Sequence, residues 1–176
     1  MAEVINVYKQ VFPAARFIGK KYGDSDRVDG GFGPQWHEWF QNGWMAVLEP
    51  LSAGLSDASV PENDAHAYIG LMRWKEDEPF EYWIGMFTPP NTPVPDGFGS
   101  VDFSVKTLGV CWLQGKDGDV FGKEDICAQK LIGAGHEIEV DASGAWWFFE
   151  RYVDPRFTQP DAQGNHILDI CHYVKA

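Results

Sequence analysis

The densest apolar pattern in the chain is Ala145-Trp146-Trp147-Phe148-Phe149-Glu150-Arg151-Tyr152. Successive side chains of a strand point to opposite faces, so Trp146, Phe148, Glu150 and Tyr152 share one face and Trp147, Phe149 and Arg151 the other. Runs rich in β-branched and aromatic residues predict further strands over 66–74, 80–87, 100–114 and 167–174. The charged turn Lys75-Glu76-Asp77-Glu78-Pro79 makes a hairpin of the first two. Val4 to Lys21 reads as one edge or bulged strand interrupted by Pro13. Elsewhere the period changes. Trp36, Trp39, Phe40, Trp44, Val47 and Leu48 recur at three- and four-residue spacing, predicting a helix over 35–51 between Pro34 and Pro50. A weaker helix is predicted over 123–134, with Ile126, Leu131 and Cys127 on its apolar face. The polar stretch 154–166, with Pro155, Pro160 and Gly164, reads as a mobile loop.

The order strand–helix–strand–strand therefore occurs twice. A short echo, Phe17-Ile18-Gly19-Lys20 against Leu113-Gln114-Gly115-Lys116, runs in the same direction. Proline-rich Pro89 to Gly97 serves as the connector. The expected fold is α+β, with duplicated βαββ units forming one antiparallel sheet, two helices on one face and a ligand cleft between the halves. The 176 residues form a single domain on this reading, with pseudo-repeat halves of about 1–94 and 95–176.

Composition narrows the function. The net charge of −12 and the lack of a Lys/Arg run argue against direct nucleic acid binding and favour cations over anions as ligands. Eight tryptophans in so short a chain fit either core packing or an aromatic cavity. No apolar stretch approaches a membrane span, and Met1-Ala2-Glu3-Val4-Ile5 does not resemble a signal peptide. Cys111, Cys127 and Cys171 are odd in number and widely spaced, which suits reduced thiols. A cytoplasmic protein is expected. The five histidines lack zinc spacing, and His37-Glu38 does not continue into a metalloprotease motif. Asp117-Gly118-Asp119 lacks the remaining oxygens of a calcium loop. The glycines at 30, 31 and 33 lack the Lys and Ser/Thr of a phosphate loop. Neither metal nor cofactor is expected.

Glu150 is the most telling residue. An unpaired carboxylate among aromatics is strongly disfavoured in a plain core but suits the floor of a pocket for an organic cation. The alternative is that the opposite face is buried and Glu150 is solvated or paired with a surface base.

Several short motifs, in order, resemble the GyrI-like effector-binding domains of AraC/XylS- and MerR-type multidrug regulators. They are Phe12-Pro13-Ala14, Tyr82-Trp83-Ile84-Gly85, Pro95-Asp96-Gly97-Phe98, Phe149-Glu150-Arg151-Tyr152 and Leu168-Asp169-Ile170. The resemblance covers nearly the whole chain. It implies a cleft in which a glutamate at the place of Glu150 faces lipophilic cations sandwiched by aromatics. No residues remain for a helix-turn-helix, so the chain looks like the solitary binding modules of that family, including those of integron gene cassettes. A regulatory role would then need a DNA-binding partner protein.

The leading expectation is a non-catalytic module that sequesters or senses amphipathic cationic small molecules. Glu150 would recognise charge, with Trp146, Phe148 and Tyr152 as walls. Tyr82 or Trp83, only one of which can face the cleft, would close it together with Trp36 and Trp39. The resemblance also raises a hydrolase of electrophilic, cyclopropane-containing small molecules, with Glu150 handling a water and Tyr152 or Tyr82 assisting the leaving group. A protein–protein adaptor is a third expectation, resting on the loop at 154–166. Exposed strand edges would permit a homodimer.

Overall fold

The computed structural model describes residues 1–55 and 60–176. Eight strands form one antiparallel sheet: β1 (Glu3–Phe12), β2 (Ala15–Tyr22), β3 (Tyr68–Trp74), β4 (Glu81–Thr88), β5 (Gly99–Phe103), β6 (Lys106–Lys116), β7 (Trp146–Tyr152) and β8 (Asn165–Val174). The helices are α1 (Gly33–Gln41), α2 (Trp44–Leu48), α3 (Glu62–Ala65) and α4 (Glu124–Gly133). The strand order is β1-β6-β8-β7-β3-β4-β2-β5. Exchanging β1 to β4 for β5 to β8 turns this order into its own reverse. The two sets are thus topologically equivalent, and they meet where β3 pairs with β7.

Two stretches read as single strands are each two. Val4 to Lys21 breaks at Pro13, which has no N–H to donate to a ladder. β1 then pairs with β6, while β2 lies between β4 and β5 at the far side of the sheet. The stretch 100–114 likewise divides into β5 and β6 around Ser104-Val105. A two-residue link spans roughly 10 Å, so the sheet must curl until its edges approach. Contacts across the curl agree with this. Phe103 of β5 lies 5.3 Å from Tyr173 of β8 and 5.4 Å from Trp147 of β7, and Phe87 of β4 lies 5.1 Å from Phe12 of β1. The face turned into the curl holds one core, including Phe17, Leu71, Phe87 and Phe149. Tight coiling of β2 on β4 uses paired Gly19 and Gly85, where an added Cβ would lie 2.1 Å and 2.0 Å from a facing carbonyl oxygen.

The opposite face carries the longer helices. Trp39 and Leu48 pack over Ile84 and Met86, whereas Cys127 and Leu131 of α4 pack over Cys111, Leu113 and Ile170. The helix expected over 35–51 is interrupted at Gly43, whose φ of 67° is the left-handed geometry that ends a helix. In α4 the buried set is Cys127, Ala128 and Leu131, while Ile126 faces outward. The stretch 154–166, read as mobile, is tied down by Arg156, which bonds Asp169 at 2.7 Å and Asp64 at 2.9 Å. Among the described residues no helix is long and apolar enough to cross a membrane.

Candidate functional site

Between the two helix groups, β3 and β7 form the floor of a cavity of about 1680 Å³. Its size exceeds the ~300–1,000 Å³ usual for drug-sized ligands, leaving room for a bulky aromatic molecule. Alternation along β7 delivers Trp146, Phe148, Glu150 and Tyr152 to this cavity. It sends Trp147 and Phe149 to the core on the other face.

Glu150 lies at the centre, 6% exposed, opposite Gly70 of β3 and Ile170 of β8. Its Oε2 accepts hydrogen bonds from the Tyr152 hydroxyl at 2.8 Å and the Tyr82 hydroxyl at 3.0 Å. Tyr82 in turn accepts from Trp36 Nε1 at 2.9 Å and stacks on Phe32 with centroids 4.1 Å apart. A Cβ on Gly70 would lie 2.5 Å from the Tyr82 hydroxyl and 2.8 Å from Glu150 Oε2, so the bare backbone there makes room for that bond. Among the described residues no basic side chain forms an ion pair with Glu150, which sets aside the solvated or base-paired alternative.

Electrostatics follow from this enclosure. Burial, and secondarily the negative charge of Glu124, push the Glu150 carboxyl up to about 8. Burial likewise raises the Tyr82 and Tyr152 phenols well above their ordinary range, so both remain protonated donors. His172, stacked on Phe148 at 5.2 Å, is pushed down to about 4 by burial and stays neutral. Its Nε2 donates to the Glu124 carbonyl at 3.1 Å.

The structure brings together Glu150, Tyr152, Phe148, Trp146, Tyr82 and Trp36 at the cavity. It places Trp83 and Trp39 elsewhere. Adjacent strand residues face opposite ways, and Trp83 lies in the core inside the curl. Trp39 is fully buried between helix and sheet, donating through Nε1 to the Tyr22 hydroxyl at 2.9 Å. The helix stripe could not distinguish this core tryptophan from Trp36, one turn earlier on the rim. Sequence reading missed Glu124, Tyr68, Met72, Phe157 and His172, which also line the cavity. An acidic first helical turn marks Glu124 in the sequence, but a weak apolar stripe leaves the rotation of α4 open. Among the described residues no group of three His, Cys, Asp or Glu side chains is placed to hold a metal ion.

No protein-family model matches the chain, and no curated protein matches its sequence. Solved structures do share its fold. One, bound to tetraphenylphosphonium, is 17% identical, with a TM-score of 0.68 over 98% of this chain and 95% of that one. A protein from Staphylococcus aureus MU50, named a putative bacterial transcription regulation protein, is also 17% identical, with a TM-score of 0.62 over 97% and 99%. An integron cassette protein from the mobile metagenome of Vibrio cholerae is 10% identical, with a TM-score of 0.50 over 99% of both chains. At such identities the likeness is one of fold alone.

Proposed function

We propose that the cavity binds amphipathic organic cations, and that the protein acts by sequestering or sensing them. One observation carries this reading: a carboxyl buried in an aromatic chamber, held by two phenols and, among the described residues, matched by no base. A bulky cation with delocalised charge gives up little hydration on entering such a chamber, and the ring faces of Trp36, Phe148 and Tyr152 add cation–π attraction. An anion would meet this carboxyl and the acidic side chains Glu124, Asp125 and Asp154 of the lining. The fold neighbour bound to tetraphenylphosphonium supports the ligand class.

Titration of tryptophan fluorescence with tetraphenylphosphonium and with neutral triphenylphosphine oxide tests it. The wild type should prefer the cation at pH 8, and Glu150→Gln should lose that preference by about tenfold or more, equivalent to ~1.4 kcal/mol. Equal affinity of both ligands for both proteins would remove Glu150 from charge recognition.

A hydrolase of electrophilic small molecules is the second reading, favoured by the raised carboxyl, which is poised for proton transfer near neutrality. Multiple turnover abolished by Glu150→Gln while binding persists would establish it. Stoichiometric capture would refute it.

A further inference from the structure

The ladder between β3 and β7 lays out the cavity floor in rows. Tyr68 faces Tyr152, Gly70 faces Glu150, Met72 faces Phe148 and Trp74 faces Trp146. All of these but Gly70 line the cavity. At about 3.3 Å per residue, the row of two tryptophans lies roughly 13 Å along the strands from the row of Glu150. A compact cation seated at the carboxyl cannot also cover that far row.

The far row has the features of a stacking surface. Trp74 is 47% exposed. The two indoles meet edge to face, with centroids 6.1 Å apart and planes at 77°. Among the described residues no other ring or cation packs on either of them. An edge-to-face pair leaves indole surface free to stack on a further ring. Phe80, which precedes the Glu81 paired with Arg73, adds a third ring to the lining at this end. Exposed aromatic surface continuous with a cavity is a binding surface. The carboxylates nearby are already neutralised. Glu78 is paired with Arg73 at 2.7 Å and Lys75 at 2.9 Å. Asp24 is paired at 2.8 Å with Arg27, whose guanidinium packs over Phe80. Charge selection therefore belongs to Glu150 and not to this row.

We propose that Trp74, Trp146 and Phe80 form a second subsite that stacks on an uncharged aromatic tail. The ligands of this protein are then elongated, with a cationic centre at Glu150 and a flat ring system roughly 13 Å away. A cavity of about 1680 Å³ has room for both parts. The inference rests on the cation-binding reading above, and it adds the shape of the ligand to its charge.

Calorimetric titration of the full chain with three triphenylphosphonium cations tests it. One carries an octyl chain, the second an octyl chain ending in a naphthyl group, and the third a naphthyl group on an ethyl linker too short to reach the far row. The naphthyl-octyl cation should bind the wild type about tenfold more tightly than the octyl cation. In Trp74→Ala that gain should fall to about twofold or less, while the octyl and naphthyl-ethyl cations bind as they do to the wild type. The half-exposed place of Trp74 at the end of β3 lets this variant fold. Glu150→Gln should weaken all three cations and keep the naphthyl gain. Equal affinity of the octyl and naphthyl-octyl cations for the wild type would overturn the subsite, as would a gain that survives Trp74→Ala. Both results leave the cation-binding reading standing. Failure of all three cations to bind would overturn that reading, and the subsite with it.

Discussion

Glu150 is tolerated in its buried position because three neighbours were shaped to meet it: two phenols that donate, and a glycine that stands aside. Gly70 therefore offers a sharper test of the site than truncation of an aromatic wall. In Gly70→Ala the methyl collides with the ends of two side chains, the Tyr82 hydroxyl and Glu150 Oε2. These can swing away, so the bond between them is lost while the fold survives. In Gly85→Ala the obstacle is the backbone carbonyl of Ile18 at 2.0 Å, which cannot move without separating β2 from β4. Gly70→Ala should weaken tetraphenylphosphonium binding by about tenfold, the worth of one charge-assisted hydrogen bond, with a modest fall in melting temperature. Gly85→Ala should melt far lower. Equal melting temperatures would refute the distinction. Alternation along β7 placed Glu150 on one face with Trp146, Phe148 and Tyr152, but did not say which face of the sheet is the cavity. The role of Gly70 was not legible, because a glycine in a strand pattern does not reveal which side chain occupies the space it leaves.

Among the elements, β7 does two jobs with adjacent residues. Glu150 faces the cavity, and Arg151, fully buried on the other face, joins the strands to the loop after β7. Its Nε donates to Asp169 of β8 at 2.9 Å and its guanidinium to Gln10 of β1 at 2.7 Å. Arg156 closes the network by bonding both Asp169 and Asp64 of α3. The next residue, Phe157, packs on Tyr152 at 4.7 Å, so the anchored loop also supports a wall of the cavity. Asp169→Asn would leave two guanidinium groups short of a buried partner and should cost about 3–5 kcal/mol in denaturant unfolding. A loss under 1 kcal/mol would mean the network is not load-sharing. Existence and type were readable for β3, β4, β7, β8 and α4, each a continuous patterned run. The splitting of the first strand and of 100–114 was not. Propensity continues smoothly across Ser104-Val105, and only pairing partners at opposite sides of the sheet reveal a break there. Loop composition at 154–166 signalled mobility, yet polar residues are also those that make ion pairs.

At the scale of the whole molecule, a repeat could be read from the chain, though each unit has two strands before its helix and not one, and the curl could not be read. It follows from two-residue links joining strands at opposite sides of an eight-stranded sheet, which is a property of topology rather than of local pattern. The curl fills one face with core and leaves the other to the helices and the cavity between them, so the whole fold bears the consequence of burying Glu150. Its carboxyl titrates at about 8 in the folded protein, against an ordinary value of 4.5 in the unfolded chain. Between these values the folded state binds more protons, so stability falls as pH rises, and the loss is complete once pH exceeds the folded value. Glu150→Gln removes the titrating group while keeping a polar side chain for the two phenols. The variant should therefore match the wild type near pH 5 and exceed it by about 2–4 kcal/mol at pH 9. Denaturant unfolding of both proteins across that range measures the difference. Parallel stability curves from pH 5 to pH 9 would show that Glu150 ionises at an ordinary pH, and that the chamber does not hold its proton.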